Sequence, residues 1–587
     1  MNDRPNQRIV LPWISTRALC KRVLLSVSFL SLQQLAAVAQ TSDNLLRASE
    51  IGINSGFFAG AAPRRMAQLT LLGLSDLRDG VQRGEFDSAQ EGQTARGSLQ
   101  QAHLLSDRNL LGSLVLMPNA HNGRQPVTVS EPEALDRFGK YAADIGAAFP
   151  DALIEIANEF NGNAFVTGPA VTTATPARAA LHADHLAAVS RAGVPRARVL
   201  GGAAHSISAG YIWAMLGAGA SRHMSAVTIH PYTTQPEAFA RQLAVLRRHP
   251  DMRGLAVDFT EIGTTNRADA ADYFWRSYCE MSRAGVRRAQ WYPLEPRGDG
   301  YAALLDQRNA LTPVGRALLL AQSEIAGRPI DYITPAPFTQ GCIFDNRFAV
   351  LWGEPRPFDL RNPDLQLRHA DTRVRKDAPD LHPQRVLLVI AQDKISGIDP
   401  DKDFAFGKSE QVADSFLEFH YPKTTRDASE NASGTNGRFT ALIRDTRGER
   451  ALSTCPGQDR PQAPWTPYLC DDTIQRAVLH DRGFTLGGNA QNLSELIWRQ
   501  SIDAPGVLRF DVETKVIAAS DDGIVVRLER DGQILQQQSV VGETDIAFGP
   551  FGFSAGDTVD LVIAPGRNPK GDAGLLRLRV YDQDTNH

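Results

Sequence analysis

The chain has 587 residues, with 62 basic and 66 acidic side chains, a formal charge of −4 and a charged fraction of 22%. That length exceeds one simple core and implies two or three domains. The missing basic excess excludes a nucleic-acid binder, and beyond the first forty residues no stretch is apolar and long enough to span a membrane.

The first forty residues read as an export signal. Arg17, Lys21 and Arg22 precede the apolar run 23–32, and Ala37-Val38-Ala39 offers a small-x-small cleavage site before Gln40. The run is short for a membrane anchor and is followed by Gln33-Gln34. Residues 1–39 are therefore assigned to a signal peptide, and a periplasmic or secreted protein without a membrane span in its mature chain is expected.

From about residue 48 to 325, short apolar runs alternate with longer helical patterns. Strands are predicted at 50–54, 74–78, 112–117, 154–158, 199–202, 226–230, 255–260 and 289–291. Helices are predicted at 63–72, 131–148, 177–192, 209–216, 236–248, 269–284 and 313–326. This alternation predicts an α/β fold, a (β/α)8 TIM barrel within residues 40–335. A doubly wound sheet would want a Gly-rich phosphate turn after its first strand, where the chain reads Asn54-Ser55-Gly56-Phe57-Phe58.

After residue 335 helical periodicity fades, and short strands at 348–352, 384–390, 416–419, 507–512, 523–530 and 558–563 alternate with Gly, Asp and Pro turns. Residues 336–380 are read as linking strands packed on the barrel, and 381–587 as an all-β sandwich, jelly-roll-like. The Asp/Ser/Asn/Gly-rich stretch 425–437 reads as a mobile loop. Export permits disulfides. Cys455 and Cys470 bracket a Pro-rich loop and read as a staple, whereas Cys279, on an amphipathic helix, reads as a buried free thiol. Asp399-Pro400-Asp401-Lys402-Asp403 with Glu410 has calcium-loop spacing but carries Phe404 where such a loop wants Gly, so no metal is assigned there. The sandwich is either a carbohydrate-binding module or a structural partner of the barrel, and exposure of Trp465, Tyr468 or Trp498 would discriminate the two.

In such a barrel the chemistry collects at the C-terminal strand ends. Strand two ends in Arg78-Asp79-Gly80, strand three in Pro118-Asn119-Ala120-His121, and strand four in Asn158-Glu159. Strand five runs into Ala204-His205, strand six into His230-Pro231-Tyr232, strand seven into Glu261, and strand eight into Trp291-Tyr292. Two carboxylates ending apolar runs are costly to desolvate and imply partners or a task. A facing pair suits glycosidic bond cleavage. Glu155, inside strand four, reads as a structural group paired with a cation, and Asp258, inside strand seven, also reads as structural.

Ile154-Glu155-Ile156-Ala157-Asn158-Glu159-Phe160-Asn161, Thr260-Glu261-Ile262-Gly263 and Val227-Thr228-Ile229-His230-Pro231-Tyr232 resemble the motifs of clan A glycoside hydrolases, and within the clan those of family 39, which holds β-xylosidases, α-L-iduronidases and exopolysaccharide hydrolases. The resemblance covers about residues 48–325. It departs at Ala157, where an aromatic residue is usual, and at Phe160, where proline is usual. It implies a retaining hydrolase of β-linked polysaccharides or oligosaccharides that needs no cofactor or metal. Glu159 would be the acid/base, its carboxyl held high, and Glu261 the nucleophile. Asn158 would bond the sugar 2-OH, Arg78 and Tyr232 would hold Glu261 ionised, and Trp291 would stack on the sugar. His205 and His230 would bond sugar hydroxyls or the nucleophile. A glycan-binding scaffold and a transglycosylase remain as alternatives.

Overall fold

The computed structural model describes residues 46–55, 69–70, 72–81, 100, 102–122, 125–377, 379–392, 397–423, 439–474, 476–489, 492–517, 520 and 522–583. The export signal, all but the end of the predicted helix 63–72, and the stretch 425–437 lie outside the described residues.

Eight parallel strands close into a barrel: β1 (Glu50–Asn54), β2 (Leu77–Gly80), β3 (Leu111–Leu116), β4 (Leu153–Ile156), β5 (Val199–His205), β6 (Ala226–His230), β7 (Ala256–Ile262) and β8 (Arg288–Trp291). β1 closes the ring against β8 with Ile51 opposite Ala289 and Ile53 opposite Trp291. The strands are apolar and almost wholly buried, as a sheet covered by helices on its outer face requires. Those helices are α1 (Pro132–Ala148), α2 (Thr175–Arg191), α3 (Ala209–Gly217), α4 (Phe239–Leu246), α5 (Ala270–Arg283) and α6 (Pro313–Glu324). Thr312 caps α6 by accepting from the Gly315 amide, with Pro313 in the first turn where its missing N–H costs nothing. The (β/α)8 expectation is thus met, with shifts at strand ends. β2 starts three residues later than predicted because Asp76 adopts a left-handed backbone, φ 56°, that a strand cannot continue through.

After α6 a five-stranded antiparallel sheet packs on the barrel, formed by β9 (Ile330–Ile333), β10 (Thr339–Phe344), β11 (Phe348–Gly353), β12 (Leu365–His369) and β13 (Leu387–Ala391) in the order 9-10-11-13-12. Two predicted features are corrected here. The boundary at 381 falls inside this sheet, since β13 pairs with β11 along Leu351–Leu387 to Phe348–Ile390. Cys279 of α5 is no free thiol: it is disulfide-bonded to Cys342 of β10, tying the sheet to the barrel. Periodicity identified Cys279 as buried but could not supply a partner 63 residues away.

The rest of the chain forms an eight-stranded and a six-stranded antiparallel sheet whose buried faces join one apolar cluster, Phe510 and Val512 from the first with Trp498, Val526 and Ile563 from the second. The predicted strand at 416–419 is instead a turn, Asp414 accepting from the amides of Phe416 and Leu417. Cys455 and Cys470 are bonded, as read from their bracketing of the Pro-rich loop. Asp399 caps a four-residue helix, accepting from the Asp401 amide and from Lys402, while Asp403 accepts from the Asp399 amide and Asn362. The calcium-like run is thereby explained as a local turn.

Candidate active site

The C-terminal strand ends converge on one polar cluster. At its base Arg78, buried at the end of β2, holds three partners with one guanidinium. Its Nε donates to Glu155 Oε2 at 2.5 Å, Nη1 to Glu261 Oε1 at 2.7 Å, and Nη2 to Asn158 Oδ1 at 3.0 Å. A planar fork of fixed donors suits this three-way task where the compact ammonium of lysine would not. Glu155 is fully buried and also accepts from Thr260 Oγ1 at 2.7 Å. Burial alone would raise its carboxyl, but the Arg78 charge overrides it and holds Glu155 below the ordinary range. Asp258, at the far end of β7, pairs with Arg287.

Glu261 accepts two further hydrogen bonds, from Asn54 Nδ2 at 3.1 Å and from the Tyr232 hydroxyl at 2.9 Å. Three donors, with Arg78 among them, fix its orientation. Burial, followed by the Glu261 charge, pushes the Tyr232 phenol well above its usual range, so it remains a donor.

Glu159 follows β4 on a contorted backbone: φ is 69° at Ala157 and 43° at Glu159, left-handed values rare for side-chain-bearing residues. The Glu159 amide donates to Ala203 O at 2.6 Å, locking this turn against β5. Non-glycine residues held in such conformations cluster at functional sites. The Glu159 carboxylate meets two imidazoles through one oxygen, Oε1, with His230 Nδ1 at 3.1 Å and His205 Nδ1 at 3.2 Å. His230 is fully buried, whereas the His205 side chain keeps 29% of its surface open. Burial pushes Glu159 up, but the hydrogen bonds from His205 and His230, with their charges, outweigh it and hold the carboxyl well below the usual carboxylate range. This corrects the expectation of a raised value. The two histidines, expected on sugar hydroxyls or on the nucleophile, serve Glu159 instead; His230 Nδ1 stands 3.8 Å from Glu261 Oε2.

One oxygen of Glu159, one of Glu261 and one ring nitrogen of His230 lie within 4.8 Å of one another. Such a trio has the donor atoms for a cation, but Arg78 and Tyr232 already supply hydrogens to Glu261, and the guanidinium at 2.7 Å opposes a second positive charge. A hollow of about 370 Å³ opens beside Glu261, lined by Asn54, Arg78, Asn158, Phe165 and Tyr292 among others. A second, of about 260 Å³, lies between Tyr232, Tyr301 and Thr265.

Trp291 is not in this cluster. It is buried, donates from Nε1 to Ala302 O at 2.9 Å, and packs against Tyr273 and Phe274 of α5. Strand parity explains the correction: Trp291 lies in register with Ile53 and Ile262, on the face turned to the helices. His121 lies on a hairpin (Asn119–Asn122 with Gln125–Thr128), and its side chain is outside the described residues. Sequence reasoning missed Asn54, which obeys the same strand-end rule at β1. It also missed Asn161, whose Oδ1 accepts from the His205 amide at 2.8 Å, two residues beyond Glu159 in the motif already singled out.

No protein-family model matches the sequence, and no curated protein sequence matches it. Its structural neighbours include glycoside hydrolases of families 39, 30 and 86. A family 39 glycoside hydrolase from the gut symbiont Bacteroides cellulosilyticus WH2 has 15% identity and a TM-score of 0.44, over 59% of this chain and 81% of its own. A family 30 endoxylanase from Clostridium papyrosolvens C71 has 12% identity and a TM-score of 0.42, over 59% of this chain and 97% of its own. A family 86 β-porphyranase from the human gut bacterium Bacteroides plebeius has 10% identity and a TM-score of 0.37, over 91% and 95%. All three scores are low, and the chemistry below rests on this chain's own side chains.

Proposed function

We propose that the protein is an exported retaining glycoside hydrolase that cleaves β-linked polysaccharide or oligosaccharide through Glu159 and Glu261. The observation that carries this reading is that one oxygen of Glu159 and one of Glu261 lie within 4.8 Å of each other. Two carboxyls with oxygens facing this closely suit double displacement, in which one gives the leaving oxygen its proton and the other attacks the anomeric carbon. The two carboxylates are held by different partners, Glu159 by the imidazoles of His205 and His230. Glu261 is oriented by donors from Arg78, Asn54 and Tyr232.

In this mechanism a Glu261 oxygen attacks the anomeric carbon as the bond to the leaving oxygen breaks, and Glu159 gives that oxygen its proton. A water then returns a proton to Glu159 and attacks the same carbon, releasing Glu261. Proton supply to Glu159 runs against its two imidazole partners. Substrate that displaces the half-open His205 removes one of these contacts and lets Glu159 take up the proton it must deliver, while buried His230 keeps the carboxyl aimed. Asn158, with its oxygen committed to Arg78, presents its NH2 to the sugar in the adjoining hollow. The two disulfides support an oxidising compartment and hence export.

The test is hydrolysis of a panel of β-linked polysaccharides and aryl glycosides by wild type, Glu159→Gln and Glu261→Gln, with anomeric configuration followed by NMR. Retained configuration and loss of at least about a thousandfold in kcat for Glu261→Gln are expected. Inverted product, or a Glu261→Gln variant close to wild type on a natural substrate, overturns the mechanism.

A further inference from the structure

Of the three aromatic residues that bear on the role of the sandwich, Tyr468 and Trp498 are buried in its core, while Trp465 keeps 39% of its surface exposed. Trp465 does not face away from the barrel. Its ring stands edge-on to that of His205, with centroids 5.2 Å apart and an interplanar angle of 82°. A methyl group built on Gly162, three residues after Glu159, would touch the indole at 3.6 Å. An indole contributed by the sandwich therefore borders the barrel mouth on the Glu159 side.

The segment that carries it is built to stay there. Residues 456–467 are spanned by the Cys455–Cys470 disulfide and flanked by the paired strands Ser453–Cys455 and Tyr468–Cys470. Internally the Gln458 amide donates to Pro464 O at 2.8 Å, and the Tyr468 hydroxyl to Asp459 Oδ1 at 3.0 Å. Against the barrel, the Gly210 amide at the start of α3 donates to Gly457 O at 2.9 Å, an approach so close that a Cβ at Gly210 would lie 2.3 Å from that oxygen. Asn161 completes the connection. Its Nδ2 donates to Gln458 Oε1 at 2.9 Å and to His205 O at 2.9 Å, while its Oδ1 accepts from the His205 amide. One side chain thus couples the sandwich loop to the residue that bonds Glu159.

We propose that Trp465 is the stacking platform of the leaving-group subsite, so that the sandwich completes the active site. This rests on the glycosidase reading above. Glu159 protonates the leaving oxygen, so the saccharide unit released in the first step lies on the Glu159 side of the cleaved bond. Trp465 is an aromatic surface bordering that side, and an indole offers a broad apolar face to the C–H face of a sugar ring with a rigid, two-torsion side chain. The loop lies more than 290 residues beyond Glu159 in sequence yet bonds its neighbour Asn161. The ligand class is the reducing-side sugar unit of an oligosaccharide.

The test compares wild type, Trp465→Ala and Trp465→Phe on paired substrates: β-xylosyl, β-glucosyl, β-galactosyl and β-mannosyl fluorides, whose leaving group fills no sugar subsite, and the matching β-linked oligosaccharides. The ratio of kcat/KM on the oligosaccharide to that on the fluoride is expected to fall about tenfold in Trp465→Ala and to be partly restored in Trp465→Phe. An unchanged ratio, whether both activities persist or both fall together, overturns the inference and leaves Trp465 as a support for His205 at most. Wild type that hydrolyses none of these substrates removes the glycosidase reading and this inference with it, whereas active wild type with an unchanged ratio removes this inference alone.

Discussion

Arg78→Met tests whether one guanidinium really carries both the buried base of the site, Glu155, and the proposed nucleophile, Glu261. The substitution keeps an apolar stem of similar length and removes the donors to Glu155, Glu261 and Asn158 at 2.5, 2.7 and 3.0 Å. Glu155 is fully buried, so breaking its pair is expected to cost about 3–5 kcal/mol at pH 7. The sign of the pH dependence follows from the proton balance. In wild type Glu155 is held below its ordinary value of 4.5, so its contribution is constant near neutrality and is lost only as pH falls below that value. In the variant burial acts unopposed by Arg78 and Glu155 folds protonated, while the unfolded chain binds no such proton above 4.5. Stability of the variant should therefore rise as pH falls from 7 towards 5, closing the gap to wild type by about 1.4 kcal/mol per pH unit. Urea unfolding across that range, with m-values checked for constancy, measures the slope. Arg78→Met/Glu155→Gln should abolish the slope and recover stability but not activity, because Glu261 still lacks its Nη1 donor. A pH-independent deficit, or the same slope in the double variant, refutes the assignment of the buried charge to Glu155.

Removal of an imidazole from Glu159 should show in the pH profile: His205→Ala takes away a hydrogen bond that lowers the acid, so the alkaline limb of kcat/KM should move to higher pH, and a limb that stays or moves down contradicts the proton assignment. Burial raises Glu280 on α5 to about 7 despite Arg283, so the folded chain holds a proton the unfolded one releases, and stability falls as pH rises from 4.5 through 7. Glu280→Gln should accordingly stabilise the protein at pH 8, by up to about 3 kcal/mol in thermal or urea unfolding, with no gain at pH 4. Deleting the Cys279–Cys342 bridge as a double serine variant frees a 63-residue separation and should cost about 4 kcal/mol in the same assay, leaving the pH profile of activity in place.

What was legible in the chain follows the range of each physical signal. Strand β6 was predicted with the bounds it has, 226–230, because a five-residue apolar run between turns has no competing local state. Strand-end chemistry carried further still: Arg78, Asn158, Glu159, His205, His230, Tyr232 and Glu261 come together because parallel barrel strands deliver their C-terminal ends to one mouth. Where one residue of register decides, that rule fails, and Trp291 turned outward to α5 is the example. Partner choice was less legible than position. Nothing local tells His205 and His230 to bond Glu159 rather than Glu261, since that depends on the left-handed turn at Ala157 and Glu159 and on the irregular register of β5 against β6 between Gly201 and Ala204.

The least legible features are those that join distant parts of the chain, and they bear most on what the second half of the molecule is for. Cys342 reaches Cys279, Gln458 reaches Asn161, and Trp465 reaches His205, each across a boundary between sheets. Composition alone left the sandwich as either a glycan-binding module or a packing partner. The two readings predict different surfaces: a tethered module displays aromatics away from the barrel, and a mere partner buries them. Tyr468 and Trp498 follow the second pattern, but Trp465 follows neither, being exposed and yet turned to the mouth. A loop held by a disulfide, by the close approach at Gly210 and by Asn161 has too many fixed contacts to be an independent tether. On the proposed glycosidase reading the sandwich is a wall of the cleft, and the length of saccharide accepted should then depend on it as much as on the barrel loops.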